Sequence, residues 1–435
     1  MKTGFFYLFI FIKSKMSIPI KDNTGGGCGN NFKTYQIFEN RNLDSLRKVV
    51  YIVANSFIRK LGSETGVKQI TDIERICIIG LGLMGGSFAL ALKNRGFKGE
   101  IIGYDISTGC MEDALQARAI DIAADNPEEA VIDAKVVVIA IPISKYDAIL
   151  GGIGAFLCPN CIITDLGSVK VQAHQVANKL LPKHVHFIGG HPMTGSEREG
   201  FKAADPFLYE NAYYFLTPEK NTPYDAIKTI EYMVKSLGAY TVYLSPDEHD
   251  LIVSRISHLP HVIAMTLVNF IDKNKGISYL PFVGGGFRDT TRIASGNPGM
   301  WRDILFANKK EIIKGIESFQ SLLDEFKYYL EYNEDDGIIR SLENAKSVRD
   351  SIPHYGRDYM SPLFEVTVSI EDKPGTIAGL TQLISSNNIN IKQIEILHSR
   401  QNEGGALRLA FESEKDRGLI LEILKQNGFH NLTVI

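Results

Sequence analysis

Ile76-Cys77-Ile78-Ile79-Gly80-Leu81-Gly82-Leu83-Met84-Gly85-Gly86-Ser87 is the stretch that decides the fold. A short apolar run leads straight into G-x-G-x-x-G, and Gly86 to Lys93 continues with helical character. Strand, glycines and helix in that order turn a weak motif into a dinucleotide-binding one. Gly80 permits the tight turn, Gly82 lets the backbone approach a pyrophosphate, and Gly85 lets helix and strand pack closely. The pyrophosphate then sits on free N–H groups at the helix N-terminus. A second strand, Ile101 to Tyr104, ends in Asp105, 20 residues past Gly85, where a ribose-binding carboxylate belongs. That carboxylate accepts from the 2′-OH of NAD and repels the 2′-phosphate of NADP, and Ile106-Ser107 bring no arginine to reverse the preference. NAD is therefore the expected cofactor, at Gly80, Leu81, Gly82, Leu83, Met84, Gly85, Asp105 and Pro142.

Three more apolar runs read as strands of a parallel sheet covered on both faces. Val136 to Ile141 stops at Pro142, Ile162 to Thr164 at Asp165-Leu166-Gly167-Ser168, and His186 to Ile188 at Gly189-Gly190-His191-Pro192. Ligands of open α/β sheets bind beyond the carboxyl ends of the strands, so Ser168 and His191 fall on the same rim as the glycine loop. Cys158-Pro159-Asn160-Cys161 has no second pair to complete a zinc site, and His184 and His186 lack partner ligands. No metal is expected.

Working outward, 435 residues make room for about three domains. Apolar residues at 44% and charged residues at 22% are ordinary globular values, and a net charge of −3 gives no argument for nucleic acid. Five scattered cysteines make no disulfide scaffold, so a reducing, cytoplasmic compartment is expected. No apolar run reaches the ~18 residues of a membrane span, so no membrane partner is expected. Phe5 to Ile12 is apolar but is followed by Lys13-Ser14-Lys15 without a small-residue cleavage site, and Met16 offers a second start. Residues 1–72 read as an accessory extension, mostly irregular, with one amphipathic helix between Leu43 and Ile58. A dinucleotide-binding domain then spans 73–244.

Beyond Leu244 the pattern changes to long helices, over 245–355. Ser245-Pro246-Asp247-Glu248 starts one with a capping box and a first-turn proline, and it runs to about Asp272. Ser257 and His261 lie four apart on one face, and Pro260 frees the carbonyl of Ile256 and kinks the helix. His258 and His261 fit either a ligand surface or satisfied interior positions. Gly284 to Arg292 places glycines before Arg288 and Arg292, a plausible anion site. Trp301 opens a further helix. In 361–435, Phe364 to Ile370 alternates as a half-buried strand, Asp372-Lys373-Pro374-Gly375 turns into a helix near Thr376, and strands Ile389–His398 and Ala406–Phe411 follow. A helix over Lys415–Gln426 and a strand over Leu432–Ile435 complete β-α-β-β-α-β.

GLGLMGGS (80–87), TDLGSVK (164–170), GGHPMTGSEREG (189–200), DEHDLIVSRISHLPH (247–261) and GGGFRDTTRIASGNPGMW (284–301) together resemble the prephenate dehydrogenase family of tyrosine biosynthesis. The tail resembles an ACT domain, an amino-acid-sensing module. The resemblance runs from about residue 74 to the end. It implies a Rossmann-type α/β domain, an all-helical dimerisation domain and a ferredoxin-like ACT domain. It also implies NAD-dependent oxidative decarboxylation of prephenate, with arogenate dehydrogenase as the near alternative and a non-catalytic amino-acid sensor as the distant one. By the same resemblance His191 takes the 4-hydroxyl proton and Ser168 bridges that hydroxyl and the nicotinamide. Arg292 binds the ring carboxylate, Ser257, His261 and Trp301 line the pocket, and Gly285 lies near the active site of a second copy in a homodimer. Glu197 and Asp289 gate the pocket. Tyrosine is the expected allosteric inhibitor, bound near Asp372, Pro374, Gly375, Asn388 and Asn390.

Overall fold

The computed structural model describes residues 73–435 except 197, 273–278, 353–362, 372, 401–403, 430–431 and 435. The extension 1–72, with its expected helix, lies outside the described residues, and so do Glu197 and Asp372.

Residues Arg75–Ile79 (β1), Glu100–Tyr104 (β2), Ile122–Ala123 (β3), Val136–Ile139 (β4), Ile162–Asp165 (β5), His186–Pro192 (β6), Tyr213–Pro218 (β7) and Tyr240–Tyr243 (β8) form one sheet in the order β3-β2-β1-β4-β5-β6-β7-β8. The continuous apolar runs have a direct cause. Ile76, Ile78, Val136 and Val138 pack into the core on one face, while Cys77, Ile79, Val137 and Ile139 pack into the core on the other. Both faces are covered, so neither set can be polar. Helix α1 (Leu83–Asn94) contributes Phe88 and Leu92 to the first of these cores.

The sheet is mixed rather than wholly parallel, because β7 runs antiparallel to β6. This corrects the reading of Gly189-Gly190-His191-Pro192 as the end of a strand. β6 pairs with β5 only over residues 186–188, and β7 then carries it on, with His191 opposite Phe215 and Pro192 opposite Tyr214. The histidine is thus fixed in a ladder rather than carried on a loop.

The helical region starts as its sequence dictates. Ser245 Oγ accepts from Glu248 N–H, Glu248 Oε2 accepts from Ser245 N–H at 2.9 Å, and Pro246 occupies the first turn of α2 (Pro246–Val253). The expected kink takes the form of a π-helical turn over Ser254–His258, leading into α3 (Leu259–Asp272). Pro260 has no N–H to donate, and widening the turn ahead of it absorbs the lost bond. The stretch Pro246–Ile271 is 26 residues with mean hydropathy 1.5, long and apolar enough by length and composition to cross a membrane. It nevertheless buries Asp250, Ser254, His258 and His261 at helical spacing, which is the pattern of a core helix. Short α4 (Gly285–Thr291) and then α5 (Pro298–Ala307), α6 (Lys309–Tyr332) and α7 (Asp335–Ser351) follow.

In the tail, β9 (Phe364–Ile370), α8 (Thr376–Ser386), β10 (Gln393–Arg400), β11 (Gly404–Phe411), α9 (Glu414–Gln426) and β12 (Leu432–Val434) form an antiparallel sheet in the order β10-β11-β9-β12. β10 begins four residues later than expected. Asn388 turns the chain with φ 55°, and Ile389 drops into the core before pairing starts.

Candidate active site

The strand order reverses between β1 and β4, which opens a crevice at their carboxyl ends. There the glycines are explained by what they avoid. A Cβ on Gly80, whose φ is +97°, would lie 2.3 Å from Ala140 O, and one on Gly85 would lie 1.9 Å from Gly80 O. Gly82 has nothing within 4 Å of the same position, so the surface beside it is open. It is also the N-cap of α1, with no side-chain cap and no acidic residue in the first turn, which leaves N–H groups free for an anion. Asp105 sits at the end of β2. Its Oδ2 accepts from Leu81 N–H at 2.7 Å and its Oδ1 from Ser107 N–H at 2.8 Å, while Ile106 is fully exposed beside it. These residues fit a dinucleotide. Leu81 is wholly buried, with its side chain in the core and its N–H donated to Asp105. Pro142 is exposed at the end of β4, where a neighbouring loop of the crevice begins.

Along the same rim, a cavity of about 330 Å³ lies between the sheet domain and the helices. It is lined by Ser168 and His191 from the sheet domain and by Ser257, Arg292 and Trp301 from the helical one, five expected residues brought together from four separate stretches of chain. His191 is buried. Burial first, and then its neighbours His249, Lys170 and His258, hold its pKa well below the ordinary imidazole range. Neutral imidazole is therefore its resting form.

Beneath this floor runs a buried polar network that supports it. The Lys170 ammonium donates to Asp165 Oδ2 at 2.5 Å and to Gly190 O at 2.6 Å, clamping the ends of β5 and β6 together. Tyr146 donates to the same Asp165 oxygen at 2.8 Å. The glycines of GGH make this possible, since a Cβ at Gly189 would lie 2.9 Å from Lys170 Cδ and one at Gly190 would lie 2.5 Å from Asp165 O. Asp250 joins the two domains by accepting from Lys170 N–H and Val171 N–H at 2.8 and 2.9 Å.

Other expected residues sit elsewhere. His261 is one layer behind the cavity, stacked on Trp301 with ring centroids 3.5 Å apart and planes 9° from parallel. It shapes the wall by holding the indole. Gly285 and Asp289 are on α4, exposed, and do not line the cavity. Glu199, after β6, accepts from Asn297 Nδ2 at 2.5 Å and so ties the sheet domain to the N-cap of α5. The expected effector positions are also separated. Pro374 and Gly375 precede α8 and Asn388 and Asn390 follow it, and 11 helical residues set them roughly 16 Å apart.

Sequence reasoning missed His249, Asp250 and Asn308, and left His258 undecided. His258 lines the cavity, and Asn308 Nδ2 is 3.2 Å from its Nδ1. The signal for two of the four, Asp250 and His258, was present: Asp250, Ser254, His258 and His261 form a polar stripe at spacings of four, four and three on an otherwise apolar helix. The cysteine pair is structural. Cys158 Sγ donates to Ala134 O, and burial pushes the Cys161 thiol up to about 12.

A glycine-loop crevice and a polar cavity on one Rossmann rim define a dinucleotide-dependent oxidoreductase. Comparison with known proteins gives the family. Residues 88–243 match the prephenate dehydrogenase nucleotide-binding domain, 245–344 the prephenate dehydrogenase dimerization domain, and 364–429 the ACT domain. The prephenate dehydrogenase of Bacillus subtilis is 37% identical over 79% of this chain and 94% of its own. Among solved structures, prephenate dehydrogenase from A. aeolicus in complex with hydroxyphenyl propionate and NAD+ has a TM-score of 0.61 at 33% identity, over 65% of this chain and 99% of that one. Synechocystis arogenate dehydrogenase has a TM-score of 0.58 at 28% identity, over 64% and 100%. The chain belongs to the prephenate dehydrogenase family.

Proposed function

We propose that this protein oxidatively decarboxylates prephenate to 4-hydroxyphenylpyruvate with NAD. The observation that carries the reading is the cavity in which Ser168, His191, Ser257, Arg292 and Trp301 meet beside the glycine loop. Bound NAD supplies the hydride acceptor. The hydride leaves C4 while the O–H electrons form a carbonyl, and His191 takes the hydroxyl proton. The C1 carboxylate then leaves as CO2, its electrons close the aromatic ring, and the oxygen regains its proton. Arg292 grips a carboxylate, and Ser168 orients the hydroxyl toward the nicotinamide side. NADH formation by the purified protein tests the reading. Turnover of prephenate at a much higher kcat/KM than arogenate is expected. Preference for arogenate would reassign the substrate, and no turnover of either would leave a sensor on a dehydrogenase scaffold.

The protein acts as a homodimer in the cytoplasm in this reading. Large apolar side chains that one copy leaves uncovered on the helices, among them Ile256, Phe306, Leu322 and Leu342, support the dimer. Gly285 and Asp289, exposed on α4, then serve the neighbouring site and its gate. The four described cysteines are free thiols, which fits a reducing compartment.

Tyrosine inhibits through the tail, at sites completed by a second copy. The separation of Pro374 and Gly375 from Asn388 and Asn390 favours this, because two antiparallel tails can bring one half from each copy together. Deleting residues 361–435 leaves activity and abolishes inhibition if the tail is the sensor. Inhibition at unchanged potency would place tyrosine in the Arg292 cavity.

A further inference from the structure

Two hydrogen bonds behind His191 determine which of its ring nitrogens carries the proton. His191 Nδ1 lies 2.7 Å from His249 Nε2, and His249 Nδ1 lies 2.7 Å from Asp250 Oδ1. A carboxylate only accepts, so the hydrogen between His249 and Asp250 belongs to His249 Nδ1. In neutral His249 the other nitrogen, Nε2, is then a bare lone pair. It accepts from His191 Nδ1–H. Neutral His191 has one ring hydrogen, now spent on this bond, so its Nε2 faces the cavity as an acceptor.

We propose that His249 and Asp250 are positioning residues that hold His191 in the Nδ1–H tautomer, with Nε2 bare and ready for the substrate's hydroxyl proton. The proposal deepens the functional reading above and rests on it for the source of that proton.

Two features make the arrangement one-way. The reverse chain needs His249 as an imidazolium, and burial first, with Lys170 in support, works against that charge more strongly than Asp250 favours it. Asp250 cannot turn away, because the backbone N–H groups of Lys170 and Val171 occupy both its oxygens. Phe215 packs against both rings in T-shaped contacts, with ring centroids 6.2 Å from His191 and 5.6 Å from His249. The device also spans the domain boundary. His191 comes from β6 and the other two from α2, 58 residues later, so the acceptor is correctly set only when the two domains are docked. When His191 takes the proton at Nε2, its new charge is one imidazole away from the Asp250 carboxylate, and no second proton has to move.

The test uses the full-length protein and two substitutions. His249→Phe fills the space without an acceptor. His249→Gln restores an oxygen that can accept from His191 Nδ1–H. With prephenate and NAD, His249→Phe is expected to lose on the order of 100-fold in kcat, within the two to four decades a positioned proton acceptor supplies. KM should stay within about threefold, since no ground-state contact is removed. His249→Gln should recover most of the loss. Nitrogen-15 NMR of histidine-labelled protein, with the His191 signals assigned through His191→Asn, reads the tautomer directly and without substrate. Wild type and His249→Gln should show a protonated Nδ1 and a bare Nε2, and His249→Phe a shift toward the Nε2–H form. A protonated Nε2 on His191 in the neutral wild type overturns the proposal, as does a normal kcat in His249→Phe. If His249→Phe does not fold, the wild-type spectrum decides alone. A wild type that shows the expected tautomer but turns over no prephenate overturns the functional reading and leaves the tautomer assignment standing.

Discussion

Around the crevice at the start of α1 the binding surface is backbone: free N–H groups, an open position beside Gly82, and a turn at Gly80 and Gly85 that tolerates no added atom. Around the cavity it is side chains: a buried neutral histidine held from behind by His249, an indole held by His261, an arginine and two serines. The two respond oppositely to mutation. The crevice is damaged by adding atoms, because its geometry is steric. The cavity is damaged by removing them, because its chemistry lies in particular nitrogens and oxygens.

His191→Asn should sharpen that contrast most. It is expected to cut kcat by roughly two to four decades while NAD affinity, measured by fluorescence quenching, stays near wild type. A near-normal rate would dissolve the distinction. Arg292→Gln should raise KM for prephenate about 10- to 100-fold in steady-state kinetics, the worth of one charge-assisted hydrogen bond, with kcat less affected. An unchanged KM would move the carboxylate site, with Arg288 the next candidate.

Gly85→Ala probes the other region. Its methyl group collides with Gly80 O, so thermal unfolding should show a loss of about 1–3 kcal/mol together with weakened NAD binding. Unchanged NAD affinity would mean that the loop is less steric than its geometry implies. Asp105→Ser should narrow the preference for NAD over NADP by about tenfold, from removal of a like charge. It also removes the acceptor for Leu81 N–H, so some affinity for NAD should be lost as well. Equal use of both cofactors by the wild type would break this reading.

The smallest effect concerns pH. Protonating His191 removes the acceptor, so kcat/KM falls toward acid, and because its pKa is held well below 6.5 the fall begins only beneath the usual histidine range. Stability shows the same sign. His258 is depressed to about 4 from 6.5, so between those values the unfolded chain binds more protons than the folded one, and stability drops as pH falls through that window. A melting temperature that is flat from pH 6.5 to 4 would contradict it.

The two regions also differ in how far they can be read from sequence. The glycine loop, its strand and helix, and Asp105 were legible from spacing alone, because tight turns, helix starts and close backbone approach are set by residues within one βαβ unit. The capping box at Ser245 and the alternation of β9 were legible for the same local reason. The cavity was legible only as a set of residues. Which of them face it was decided by packing: the π turn at Ser254–His258 turns His258 toward the space, while stacking puts His261 behind Trp301. Strand β6 reaches His191 only because β7, more than 20 residues later, pairs with it. The proton on His191 is set by His249 and Asp250 across a domain boundary. Hydrogen bonds of that kind exist only once burial has removed water and brought distant segments within 3 Å of each other.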